Sequence, residues 1–443
     1  MTTVAGVAEQ DGADLGRAAR ERAPRRAFGD WTPSLRTLDV LDILQAQNAI
    51  RAADLVPVRW GRMSASPWTF YRGAAAVMAA DLAARPHSGL TVQLCGDAHL
   101  LNFGLWATPE RNLSFDLRDF DETLPGPFEW DVARLVTSIE VLAREHGGDA
   151  AGAVAQCLTA YRTQIARYAG AHVLDTWYDL IHVDRFLSVF TDADRPRAAA
   201  HIARKAQRRT HRGVLRKLTE IRDGRLRISE DPPIREHRPD GPADELFAHY
   251  RESLPDERRH LLDRFTPVDA VRQVVGVGSV GMRVHLLLLQ GRDTTDPLFL
   301  QIKQAGESVY EPFCGSSRYV AHGRRVIEGK RLVQSATDVF VGWASARGHD
   351  YYVRQFRDMK VIAHGELIAP RLPEFATACG HVLARSHARS GDPVAIDAYL
   401  GRGRAFDDGM TAFASAYADQ NAVDHARLVE AIGAGVLPTA SGW

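Results

Sequence analysis

The sequence predicts an α+β protein of two lobes, one mostly helical and one a small antiparallel sheet, and three observations predict it. Apolar residues recur at spacings of three and four across residues 35–84, 132–168 and 373–432, the period of helices with one buried face. Short runs rich in Val, Leu, Ile, Tyr and Phe, bounded by Gly, Asp and Pro, crowd instead into residues 271–356. At 443 residues the chain is also longer than a single core usually supports.

Taken in order, residues 1–30 are rich in Ala, Arg, Asp and Glu, lack the apolar stretch of a secretory signal, and are expected to be disordered. A cytoplasmic protein is the expectation. Residues 31–265 form the helical lobe, broken by strand-like runs at 90–95 and 113–117. The Pro- and Gly-punctuated stretch 223–243 is expected to be a loop. Residues 266–365 form the β-rich lobe, with strands near 271–277, 282–289, 298–303 and 351–356 and one helix at 322–335. Residues 366–443 return as helices to the first lobe.

Composition excludes several classes of function. Of a chain that is 45% hydrophobic, no run approaches the roughly 20 apolar residues that span a bilayer, so no membrane partner is expected. Lys plus Arg and Asp plus Glu balance at 55 each, which removes the bulk-charge argument for nucleic acid. The basic stretch from Arg204 to Lys217, which includes Lys205, Arg208, Arg209, Arg212 and Arg216, reads as a solvated helix face. Cys95, Cys157, Cys314 and Cys379 form no CxxC pair, so buried thiols are expected rather than a zinc or redox site.

The chemistry concentrates between Cys95 and Asp131. The string CGDAHLLN sets Asp97 five residues before Asn102, and Asp119-Phe120-Asp121-Glu122 follows the second predicted strand. Phosphoryl transfer needs this set: one carboxylate to accept the proton of an acceptor hydroxyl, and an amide with a second carboxylate to hold the Mg²⁺ that neutralises the phosphates. Asp97 is the expected base; Asn102 and Asp119 are the expected metal ligands. Any one piece alone is explained as well by a turn or a solvated acidic loop. Together, ahead of Trp130-Asp131 at the opening of a helix, they point to a site. His99 has no second His at ligand spacing and is expected to pack the loop.

GDAHLLN followed by DFDE and EWDVARL resembles the catalytic loop and metal motif of aminoglycoside and choline kinases, within the protein-kinase-like superfamily. That resemblance implies a two-lobed kinase-like fold, ATP and Mg²⁺ as cofactors, and Asp131 as a brace for the catalytic loop. The strings RWGRM, FYRGAA, CGDAHLLNFG, FDLRDFDETLPGPFEWD, EGKRLVQ and YYVRQFRDMK more closely resemble a bacterial family known as domain of unknown function 2252. The chain departs from that family's usual pattern at Arg118, where Asn is usual, and at Lys330, where Gln is usual.

Gly276, Gly278 and Gly281 make a GxGxxG string between two β-like runs. Because a strand rather than a helix follows, a kinase-type hairpin over phosphates is favoured over a dinucleotide fold. A hairpin turn alone would also use these glycines. Lys303 ends a later run and matches the lysine that meets the α- and β-phosphates; Glu328 is its expected ion-pair partner, with Glu311 the fallback. Residues 351–356 are the expected hinge strand. Kinase motifs normally run glycine loop first, but here the catalytic loop leads and the cyclic order is kept, so a circular permutation is expected.

The expected activity is Mg-ATP-dependent phosphoryl transfer to a hydroxyl on a small molecule or protein. AMP transfer on the same fold and a nucleotide-binding pseudokinase are the alternatives. A metal-dependent phosphohydrolase using Asp97, His99, Asp116 and Asp119 would leave Lys303 and the glycines unexplained. Arg59, Arg62, Tyr71 and Arg72 are candidates for the acceptor side, and pairing with structural carboxylates explains those arginines equally well.

Overall fold

The structure is a computed structural model that describes residues 4–188, 190, 195–208, 211–222, 225–238, 241–276, 278–356, 359, 361 and 365–440. Helix α1 (Val4–Arg22) corrects the expectation of disorder over residues 1–30. Its Ala19 is fully buried, and a Cβ on Gly16 would come within 2.1 Å of the Ala395 carbonyl, so the helix lies tightly against the C-terminal region. The sequence concealed this because the packing surface is built of Ala and Gly rather than large apolar residues.

Helices α2 (Val56–Met63) and α3 (Pro67–Gly73) lead toward two antiparallel ribbons. Strand β1 (Thr91–Leu94) pairs with β4 (Leu124–Pro127), and β2 (Phe103–Ala107) pairs with β3 (Leu113–Leu117). The chain therefore crosses between the ribbons twice, once through residues 95–102 and once through 118–123. The crossings touch: Gly96 has φ +87°, and a Cβ there would sit 2.4 Å from the Glu122 carbonyl oxygen. Only glycine serves both needs.

Helices α4 (Phe128–His146) and α5 (Ala150–Ala169) replace the single helical stretch read over 132–168, with a break at Gly147 and Gly148, both at positive φ. The buried face of α4, including Val132, Leu135, Val136 and Ile139, anchors the main core with Phe115 and Phe128.

The second unit is an antiparallel sheet of β5 (Thr266–Gln273), β6 (Val284–Gln290), β7 (Pro297–Ala305), β8 (Gly342–Ala346) and β9 (His349–Gln355), in the order β8-β9-β7-β6-β5, with Arg235–Glu236 paired outside β5. Every residue of β7 is buried. The run Leu286 to Leu289 alternates between faces: Leu286 and Leu288 pack with Leu218 and Ile228, whereas Leu287 and Leu289 pack with Leu246 and Tyr250. The sheet unit thus recruits residues well before 266, and its expected boundary there is corrected. A hairpin of Thr219–Arg222 with Arg225–Ile228 occupies part of the expected loop. Residues 223–224, 239–240 and Arg209 of the basic stretch lie outside the described residues.

Helix α6 (His322–Val333) connects β7 to β8, and α7 (Leu372–Ser390) returns to the first unit. There α7 packs along α5, where a Cβ on Gly380 would meet the Cys157 carbonyl at 2.5 Å. Cys95, Cys157 and Cys379 are buried as expected; Cys314 is half-buried. Among the described residues no helix is long and apolar enough to cross a membrane.

Candidate functional site

The string that follows β1 is fixed by Asp131, in the first turn of α4. Its carboxylate accepts from the backbone N–H groups of Cys95 (2.7 Å) and Gly96 (3.1 Å). Leu100 N donates to Ser138 Oγ (3.1 Å), Tyr310 Oη to the Gly96 carbonyl (2.8 Å), and Asn102 Nδ2 to the Asp97 carbonyl (2.6 Å). A loop so constrained points its own carboxylate reproducibly.

That carboxylate, Asp97, accepts from Arg134 Nε at 2.8 Å. Arg134 lies one turn beyond Asp131 on α4, stacks over Tyr71 at 3.9 Å and donates to the Tyr71 carbonyl. Burial pushes the Asp97 carboxyl above the ordinary carboxylate range, and Arg134 opposes the shift. His99 Nε2 stands 3.6 Å from Asp97 Oδ2, and burial among Arg72, Arg134 and Arg118 holds the imidazole neutral. Among the described residues no second histidine lines the cleft.

Lys303, in the middle strand β7, is 2% exposed and ion-paired with Asp121; Asp119 Oδ1 is 3.8 Å from the same ammonium. Tyr352 on β9 donates to the other Asp121 oxygen at 2.7 Å. Arg325 on α6 donates to the carbonyls of Asp121 (2.8 Å) and Thr123 (2.7 Å), fixing the backbone of the same loop. Glu122 accepts from Val309 N at 2.8 Å, and burial pushes its carboxyl up to about 7.

The turn between β5 and β6 closes over these groups. It starts beyond Gln273, earlier than expected, because Gly276, Val280 and Gly281 seat on the N-terminal segment instead of extending the sheet. Arg62 donates to the Gly276 carbonyl (2.5 Å), Ala52 N to the Gly281 carbonyl (2.8 Å), and Arg51 to the Val280 carbonyl. Gly276 and Gly281 have φ of +64° and +88°; a Cβ on Gly278 would lie 3.1 Å from the Arg72 carbonyl. Val277 lies outside the described residues.

The result is one cleft of about 110 Å³, in which Asp97, Asn102, Asp119, Asp121 and Glu122 face Arg51, Arg72 and Arg118 below Gly276 and Gly278. Three segments distant in sequence, carrying most of the expected site residues, meet there. Lys303 reaches it through its two carboxylates, and Gly281 packs behind it against Arg51. Glu328 is corrected: it pairs with Arg331 at 3.3 Å and lines a separate cavity. The fallback Glu311 faces His322 and Arg325, each at 3.8 Å. The sequence missed Asp121 as the partner of Lys303, though it stands in the DFDE string. It also missed Arg134, which the three-residue step from Asp131 places on nearly the same helix face.

Three acceptor-side candidates are otherwise occupied. Arg59 donates to Gln47, Asn48 and the Leu44 carbonyl inside the helical core, Tyr71 donates to the Arg134 carbonyl, and Arg62 tethers the glycine turn. Arg72 alone of the four lines the cleft. Asp116, needed for a hydrolase site, is fully buried in an ion pair with Arg385 of α7 and accepts from Ser335 N and Oγ.

Among the described residues no group of three or more His, Cys, Asp or Glu side chains forms a ready-made metal cage. Mg²⁺ characteristically keeps several waters and takes only one or two carboxylates beside substrate phosphates, and the two expected ligands, Asn102 and Asp119, both line the cleft. The chain belongs to a bacterial family described as uncharacterized protein conserved in bacteria (DUF2252), which matches residues 51–431. No curated protein and no solved structure matches it.

Proposed function

We propose that this member of the DUF2252 family is a Mg-ATP-dependent phosphotransferase acting on a hydroxyl, with a protein-kinase-like architecture in circularly permuted order. The observation that carries the reading is the shared cleft: Asp97 and Asn102, Asp119 and Asp121, and the glycine turn converge on it, with Lys303 of β7 bonded to its acidic wall. A lysine on the third strand of a glycine-hairpin sheet, followed by a helix, is the disposition kinases use. Here β5, the turn, β6, β7 and α6 follow in that sequence.

The permutation draws support from the opposite end of the chain. Helix α7 ends where β1 begins, since Ser390 Oγ accepts from Gln93 N at 3.1 Å and a Cβ on Gly391 would be 2.9 Å from the Thr91 carbonyl. The helix that would precede the proposed catalytic loop in the usual order thus ends beside β1, the strand that leads into that loop, though nearly 300 residues later in sequence.

In the proposed reaction the acceptor hydroxyl gives its proton to Asp97, its oxygen forms a bond to the γ-phosphorus of ATP, and the bond between that phosphorus and the β,γ-bridging oxygen breaks, releasing ADP. Asn102 and Asp119 would hold Mg²⁺, which supplies charge neutralisation on the phosphates when bound. Lys303 and Arg51 add positive charge on the nucleotide side. A cavity of about 110 Å³ is smaller than the roughly 300 Å³ of most small-molecule pockets, so it takes the polyphosphate end alone. The nucleoside would extend past Arg118 toward Gln355, where a second cavity begins at the end of the expected hinge strand.

The test is transfer from ATP labelled separately at the α and γ positions, with Mg²⁺ and a metabolite extract. Movement of the γ label supports the reading. Movement of the α label replaces it with AMP transfer on the same site, and retention of both labels, with no binding of Mg-ATP, rejects it in favour of neither.

A further inference from the structure

We infer that Arg72 anchors a subsite for an oxyanion on the acceptor, which makes the acceptor a hydroxyl compound that also carries a carboxylate or a phosphate. The inference rests on the phosphotransferase reading for the identity of the acceptor, but the subsite itself rests on geometry.

The cations of the cleft are already engaged, with one exception. Lys303 is paired with Asp121, Arg134 holds Asp97, Arg118 donates through Nε to the Leu101 carbonyl (2.9 Å), and Arg51 donates to the Val280 carbonyl. Arg72 makes no hydrogen bond and no ion pair among the described residues; its guanidinium lies 6.0 Å from the Trp68 ring, and its Nε is buried without a partner. A half-buried guanidinium with its Nε left unsatisfied carries a desolvation cost, and a fork of planar donors is suited to grip a carboxylate or phosphate through two parallel bonds.

Position assigns the anion to the acceptor rather than to the nucleotide. Arg72 lies in the field of Asp97, the proposed base, whereas Arg51 lies in the field of Glu122 and Asp121 below the glycine turn. Gln47 also lines the cleft, and its Oε1 accepts from Arg59 at 2.8 Å, which leaves its NH₂ free to donate. The acceptor hydroxyl at Asp97 and the acceptor anion at Arg72 would then be held together, and two-point attachment is what aligns a hydroxyl for in-line attack. A neutral polyol would leave the arginine unpaired, and a cationic acceptor would be repelled by it.

The experiment is calorimetric titration of the full chain with glycerol, glycerate and glycerol 3-phosphate as probes, without nucleotide and again with Mg²⁺ and a non-hydrolysable ATP analogue. The wild type should bind at least one anionic probe about tenfold or more tightly than glycerol, and which one identifies the anion. Arg72→Gln should abolish the preference, Arg72→Lys should retain part of it, and affinity for the ATP analogue should change by less than about twofold. Equal binding of all three probes, or a preference that survives in Arg72→Gln, overturns the subsite. So does a parallel loss of analogue binding, which would move Arg72 to the nucleotide phosphates. Failure of the phosphotransferase reading is separable: an Arg72-dependent preference with no label transfer from ATP would leave the anion subsite standing and remove the reaction.

Discussion

Lys303, itself buried, forms an ion pair with the partly exposed Asp121 that joins the middle strand of the sheet to the loop after β3, with Asp119 3.8 Å from the same ammonium. Breaking such a pair from one side leaves a charge buried alone, and the two sides are unequal here. Asp121→Asn leaves Lys303, 2% exposed, with only the longer contact to Asp119 and should cost about 3 kcal/mol; Lys303→Met leaves two partly exposed carboxylates and should cost less. Urea denaturation of both variants measures this, and a loss below about 1 kcal/mol for Asp121→Asn would show that the pair does not hold the units together.

The same carboxylates are the proposed phosphate and metal side. ATP should raise the melting temperature more with Mg²⁺ than with EDTA, because a ligand that binds only the folded state stabilises it by mass action. The Mg²⁺-dependent increment should vanish in Asp119→Ala. Equal increments in wild type and variant would remove Asp119 from the metal.

Glu122 gives the cleft a pH signature. Burial pushes its carboxyl from the ordinary 4.5 up to about 7, so between those values the folded state holds a proton that the unfolded chain has lost. Its contribution to stability is therefore fully present below about 4.5 and is lost as pH rises through about 7, at a slope of at most about 1.4 kcal/mol per pH unit. Glu122→Gln cannot titrate and should lack that component. Superimposable stability profiles for the two proteins between pH 4.5 and 7 would place the shift elsewhere.

How far the sequence could lead is visible in single residues. Asp97, Asn102, Asp119, Gly276 and Gly278 could be singled out because each belongs to a local string of recognisable spacing, and the fold brings those strings to one cleft. Strand β3 was read to the residue, since Leu113–Leu117 is bounded by turn formers on both sides. Glu328 was misassigned because the choice of carboxylate on a helix depends on how that helix is rotated; on α6 the residue turned toward the cleft loop is Arg325, which bonds two of its carbonyls. The N-terminal helix escaped because Ala and Gly pack closely without an apolar period. Arg72 was one of four equivalent candidates until the partners of Arg59, Arg62 and Tyr71 were known, which is tertiary information.

The base and the binding groups separate in a final pair of variants. Asp97, the proposed base, is held by Arg134, and its ordinary-sized replacement, Asp97→Asn, keeps the loop's backbone bonds to Asp131. ATP affinity should stay nearly intact while turnover falls by roughly 10²–10⁴-fold, the usual contribution of a general base. Because burial raises the Asp97 carboxyl, wild-type turnover should fall as pH drops through a value above the ordinary carboxylate range, where the base becomes protonated, and this limb should be missing from the residual activity of Asp97→Asn. Lys303→Met removes a charge proposed to act on the phosphates in both ground and transition states, so affinity and turnover should fall together. Calorimetry for ATP beside turnover for each variant decides the assignment. If Asp97→Asn lost ATP binding as severely as Lys303→Met, Asp97 would be a metal ligand or a structural residue, and the proton would have to leave the acceptor by another group.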